Sequence, residues 1–124
     1  MALSDVKEWV SSIVGQSAYT YTYGMWVETT ATHANWYCVI QATGGAAPDV
    51  EDRRPRYRVI LLGRRNERSD GVKVLADAEA LMQASLGGIT PCGAANIRAM
   101  GEPIGPGFTT ENRAWAQIDF EVLL

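Results

Sequence analysis

Residues 111–124 read ENRAWAQIDFEVLL and alternate without a break: Ala114, Ala116, Ile118, Phe120, Val122 and Leu124 fall on one parity, Arg113, Trp115, Gln117, Asp119 and Glu121 on the other. Successive side chains of an extended chain point to opposite sides, so a period of two describes a strand with one face in a core and a charged face outward. A sheet built around such a strand is covered on one side only.

The same alternation recurs upstream. RYRVILLG places Tyr57, Val59 and Leu61 on one face and Arg56, Arg58, Ile60 and Leu62 on the other. WYCVIQAT, residues 36–43, is apolar and β-prone and halts at Gly44 and Gly45. These two segments pair as a hairpin across the long loop GGAAPDVEDRRP.

Two amphipathic helices supply the cover. Ser4 or Asp5 caps the first, with Glu8 closing a capping box; Val6, Trp9, Val10, Ile13 and Val14 form its apolar stripe, and Gly15 stops it. Asp70 caps the second, whose stripe reads Val72, Leu75, Ala78, Leu81, Met82 and Leu86, with Lys73, Asp77 and Glu79 to water and Gly87 and Gly88 at the end. A short strand near NIRAMGEPI and a turn region, GPGFTTEN, precede the closing strand, and residues 17–34 read as an irregular or short-stranded excursion. The expected fold is α+β and two-layered: an antiparallel or mixed sheet with both helices on one face, in the order α-β-β-α-β-β.

With 124 residues, 47% of them hydrophobic, the chain suits one domain spanning 1–124 that buries about two thirds of its unfolded surface. No apolar run approaches the roughly 20 residues of a membrane span, and the start lacks a secretory pattern, so the expectation is a soluble, intracellularly made protein. Cys38 and Cys92 have no CxxC spacing and read as free thiols. A net charge of −3 argues against wrapping nucleic acid with the whole surface.

Catalytic patterns are weak. His33 is the only histidine, with Cys38 its nearest thiol and no carboxylate identifiable to orient it. GEPIGPG lacks the following helix of a phosphate loop, and its prolines remove backbone donors. Asp119 and Glu121, two apart on a strand, read as a solvated stripe rather than a glycosidase pair. No catalytic residue, cofactor or metal is assigned.

The charge distribution is more informative. Arg53, Arg54, Arg56, Arg58, Arg64, Arg65 and Arg68 are seven of the eleven basic residues and lie within sixteen positions. Asp49, Glu51, Asp52, Glu67 and Asp70 interleave or flank them, so local neutralisation competes with a role at a protein interface. Among the tryptophans, Trp9 and Trp36 belong to the core, whereas Trp26 and Trp115 fit surface anchors, Trp115 equally a residue under a loop.

CVIQATGGAAPDVEDRRPRYRVILLGRR, DGVKVLADAEALMQASL and GEPIGPGFTTENRAWAQIDFEVLL follow the first helix in an order and texture that resembles the tail terminator, or tail completion, proteins of long-tailed bacteriophages, a group overlapping minor tail and minor capsid proteins. In that family a glycine pair precedes a strand ending in arginine, a helix follows, and a polar turn with a basic residue enters the last strand; Gly44, Gly45, Arg64, Arg65, Asn112 and Arg113 stand in those places. The resemblance implies a structural virion protein at the head-proximal end of the tail or the neck, made in the host cytoplasm. It implies a homo-oligomer, a hexameric ring, that stops tail-tube polymerisation and joins the tube protein to the head-tail connector, with DNA only in passage through its lumen.

On that reading Arg53, Arg54, Arg56, Arg58, Arg64, Arg65, Arg113 and Trp115 meet sister subunits or partners, and Gln117, Asp119 and Glu121 face the lumen. A connector or stopper protein of the neck is the near alternative. From another class, a nucleic-acid-binding module would use the arginine-rich hairpin.

Overall fold

The computed structural model describes residues 3–15, 19–23, 35–45, 55–87, 90–91, 94, 96–109 and 112–123. The elements run α1 (Leu3–Val14), β1 (Thr20–Tyr23), β2 (Tyr37–Gly45), β3 (Pro55–Arg65), α2 (Asp70–Leu86), β4 (Asn96–Ala99), β5 (Ile104–Phe108) and β6 (Arg113–Leu123). Arg53, Arg54, His33, Trp26, Cys92 and Gly88 lie outside the described residues, as do the β2–β3 loop and most of the 17–34 excursion.

The sheet is mixed and six-stranded, ordered β1-β2-β3-β6-β4, with β5 also on β6. β2 and β3 pair antiparallel, as expected of the hairpin, and β1 joins β2 in parallel. β6 lies at the centre: β3 runs along one edge, while β4 and then β5 occupy successive lengths of the other. The parity read from the sequence holds, with Ala114, Ala116, Ile118, Phe120 and Val122 buried beside Tyr57, Val59 and Leu61.

Both helices cover that side. Val6, Trp9 and Val10 of α1 and Val74, Ala78 and Leu81 of α2 share one core with the inward strand residues. Trp9 meets Phe120 edge-on, with ring centroids 5.1 Å apart at 84°, a geometry that sets the positive edge of one ring on the negative face of the other. Gly15 ends α1 at φ +105, its N–H donating to the Ser11 carbonyl at 2.9 Å, a conformation glycine adopts without steric cost.

Two details differ from the sequence reading. Val72 and Leu86, expected in the buried stripe of α2, are 79% and 73% exposed. The buried line is Gly71, Val74, Ala78, Leu81 and Ser85. The spacing is helical in both cases, but the buried line is rotated away from Val72 and Leu86, and the helix lies close at Gly71, where a Cβ would come within 3.2 Å of Pro106 Cβ. Likewise IGPGF, expected as a turn, is the edge strand β5. Proline is tolerated at a sheet edge, and Gly105, at φ +131, brings the backbone so near β6 that a Cβ there would sit 2.8 Å from the Trp115 carbonyl oxygen.

The orientation of α2 is testable by paired truncations. Leu81→Ala should cost about 2–5 kcal/mol in urea unfolding, and Leu86→Ala less than about 0.5 kcal/mol. Equal losses would contradict the packing described.

Candidate functional site

The side of the sheet away from the helices is the surface on which the outward residues converge. Strand register sorts them into rows: Gly44, Arg56, Glu121 and Arg98; then Gln41, Arg58 and Asp119; then Val39, Ile60, Gln117 and Ile104; then Tyr37, Leu62, Trp115 and Gly107. The face therefore changes from charged at one end to apolar at the other.

At the charged end the arginines find carboxylates within the same subunit. Arg58 Nε donates to Asp119 Oδ1 at 3.0 Å. Glu121 is shared: Arg56 Nε donates to one carboxylate oxygen at 3.2 Å and Arg98 Nη2 to the other at 3.3 Å. The Glu121 side chain is only 9% exposed, between guanidiniums that are much more open, and a desolvated carboxylate requires such partners. The more open Arg58–Asp119 pair of this ladder contributes about 0–1 kcal/mol, so it orients side chains more than it holds the sheet together. Asp119 and Glu121, expected to offer a bare acidic surface to a lumen, are thus both matched by arginine; Gln117 is half-buried beside them.

At the apolar end Tyr37, Val39 and Leu62 are buried, with Ile60 and Trp115 packed against them. Trp115 fills the space beneath β5, where a Cβ on Gly107 would lie 2.5 Å from the indole; of the two expectations for this residue, the geometry matches a side chain packed under a neighbouring segment. Arg113 is 0% exposed. Its Nη1 donates to the carbonyls of Gly63 at 2.7 Å and Asn35 at 2.8 Å, and its guanidinium lies 5.4 Å from the Tyr37 ring centre. The sequence parity assigns Arg113 to the outward face correctly, yet the side chain is enclosed there as a brace between chain segments and presents no free surface.

A second cluster ties α2 to β3. Asp70, expected as a helix cap, makes no capping contact; position 69 at the helix start has no side-chain cap bond either. The Asp70 carboxylate accepts instead from the Arg64 backbone N–H at 2.9 Å and from Arg64 Nε and Nη2 at 3.0 and 2.9 Å. Burial alone would raise the Asp70 pKa, but the Arg64 hydrogen bonds and charge outweigh it and hold the carboxyl below its ordinary range. Arg64 also stacks at 5.3 Å on Trp36, which meets Tyr19 edge-on. The Tyr19 hydroxyl donates to Asp77 at 2.6 Å, and burial followed by that bond pushes its pKa far up. Arg65 stands opposite Arg113 in the β3–β6 register, and Arg68 stacks at 4.1 Å on exposed Phe108.

Burial pushes the Cys38 thiol well above its ordinary range, so it is a protonated core residue. Among the described residues no three His, Cys, Asp or Glu side chains gather as a metal site, and no helix is long and apolar enough to cross a membrane. Arg98 is the site residue that composition did not single out. It lies thirty positions beyond the arginine run, and its signal was local: Ile97 inward and Arg98 outward on a short strand.

A family model described as "Phage tail termination protein" matches residues 1–124, and the chain belongs to that family. It is therefore a structural protein of phage tail completion, placed in the virion tail among other tail components. No curated protein matches the chain at a significant level. One solved structure is similar with a TM-score of 0.55 at 14% identity, over 98% of this chain and 96% of that one; at that identity the likeness speaks to the fold.

The Arg64–Asp70 clamp has a pH signature. A carboxyl with a depressed folded pKa stabilises the fold above its unfolded value of about 3.9 and loses that contribution as pH falls through the folded one. Asp70→Asn should lower the urea midpoint at neutral pH, and the difference from the native chain should shrink in acid below about pH 4. An unchanged difference across that range would show that the carboxylate charge contributes nothing.

Proposed function

We propose that this tail termination protein closes a ring on the head-proximal end of the tail tube, halts addition of tube subunits and presents the surface that receives the head connector. The observation that carries this reading is the family match over residues 1–124, joined to a subunit whose helices cover one sheet face and whose other face keeps exposed arginines in its charged rows. A ring of identical copies requires a heterologous contact, in which one patch binds a different patch on the next copy and the rotation closes. A small two-layer subunit with unlike faces fits that requirement, and a sixfold ring would match the symmetry that the resemblance implies.

The open face has two conceivable uses, lining a lumen or meeting another protein, and the ladder favours the second. Paired carboxylates give DNA little repulsion, while guanidiniums with N–H donors to spare suit polar contact across an interface. Arg56 and Arg58 keep N–H donors beyond those bonded to Glu121 and Asp119, and these are the members of the arginine cluster that suit such contacts. Arg64 and Arg113 serve assembly indirectly, by fixing the frame. A nucleic-acid module is disfavoured because Asp119 and Glu121 stand among the three arginines of the charged rows, leaving little net positive charge for phosphates.

Mass measurement of the purified protein, alone and mixed with purified tail tubes, followed by imaging of the mixture, tests the reading. A closed oligomer found at one tube end, with tube length fixed only in its presence, is expected. Binding along the tube wall, or tubes that keep growing after it has bound, would refute termination.

A further inference from the structure

The Arg56–Glu121–Arg98 cluster is unbalanced: two guanidiniums share one carboxylate. Each uses one nitrogen on Glu121 and has further N–H donors, since a guanidinium carries five. Arg98 is also the most open of the ladder arginines, its side chain 67% exposed. Beside it lies a cleft of roughly 180 Å³ lined by Asn96, Ile97, Arg98, Glu121 and Leu123. One incoming carboxylate would complete an array of two arginines and two acids, which calls for planar, paired hydrogen bonding of the kind guanidinium provides.

The opposite layer of the same subunit has the complementary sign. Beyond Asp70, held by Arg64, the helices carry four acids, Asp5, Glu8, Asp77 and Glu79, against two lysines, Lys7 and Lys73. Lys73 is already paired with Asp77 at 2.6 Å, whereas Glu8 and Glu79 are exposed and form no ion pair with another described residue. The charged rows of the sheet hold three arginines against two acids.

We infer that the Arg56–Arg98 clamp receives a carboxylate from the helical layer of a second copy of this chain, Glu8 or Glu79, and so forms the repeating contact of the ring. This rests on the ring reading above and assigns its two unlike surfaces. A nucleic-acid backbone is the poorer occupant, because Asp119 and Glu121 stand in the same two rows and one surplus charge per subunit attracts few phosphates. Register between the copies is set by charge, so the contact weakens with salt.

Charge exchange tests it by sedimentation of the full chain at low salt. Arg98→Gln, a mild change on an exposed side chain, should weaken self-association at least about tenfold. So should Glu8→Arg combined with Glu79→Arg. Arg98→Glu copies, acidic on both layers, and Glu8→Arg/Glu79→Arg copies, basic on both, should each remain dispersed and form alternating oligomers when mixed. Native self-association by Arg98→Gln, failure of the mixture to assemble, a monomeric native chain, or low-salt binding of a short DNA duplex that Arg98→Gln abolishes would each overturn the inference. Tail attachment, assayed in parallel, separates the two readings: termination by a native chain whose oligomer ignores Arg98 keeps the ring and discards this contact, while no tail attachment by the native chain discards the ring reading itself.

Discussion

β6 is hydrogen-bonded along both edges, and that position is the constraint from which the subunit follows. A strand paired on each side cannot slip by one residue without turning every side chain to the wrong face. Its alternation therefore fixes the inward side for β3 and β4 at once, through the pairings of Val59 with Ile118 and Ile97 with Val122. Phe120, Ile118 and Val122, each contributing about 1.5–3 kcal/mol on burial, then define the surface on which α1 and α2 must lie. What remains outward on the same strand, from Trp115 to Glu121, is determined equally firmly.

The sequence carried this central part because period-two alternation depends on nearest neighbours alone. Features that depend on close approach were less legible. The expected stripe of α2 included Ala78 and Leu81, which are buried, but it also took in Val72 and Leu86 and passed over Gly71 and Ser85, whose small side chains do not register in an apolar count although both are buried. Glycine and proline in IGPGF predict a turn by propensity, and only the nearness of Trp115 explains why those residues permit a strand. Arg113 illustrates a different limit. Parity located its face, but the carbonyls of Gly63 and Asn35 that enclose it are backbone groups distant in sequence, and no side-chain pattern announces them.

The arginine-rich segment makes the same distinction between composition and placement. Clustering along the chain suggested one basic surface, yet the topology distributes its members among unlike environments. Arg64 binds Asp70 at the mouth of α2, Arg56 and Arg58 cross to β6, and Arg68 lies over Phe108. Arg98, remote in sequence, joins the ladder instead because β4 borders β6. Local neutralisation and availability for partners thus coexist, since a guanidinium that spends one or two donors on a neighbour has others left.

That coexistence suits an assembly component. Holding a flexible, charged side chain at an interface costs side-chain entropy, about 0.5–1.5 kcal/mol for each one immobilised on binding. In the ladder, Asp119 and Glu121 bear much of that ordering before any partner arrives, because strand register has already set the guanidiniums opposite them. Preorganised polar groups favour a partner whose charges match their spacing and penalise one whose charges do not. A structural protein of tail completion gains more from such discrimination than from a broad apolar patch, which would bind sister copies without regard to register.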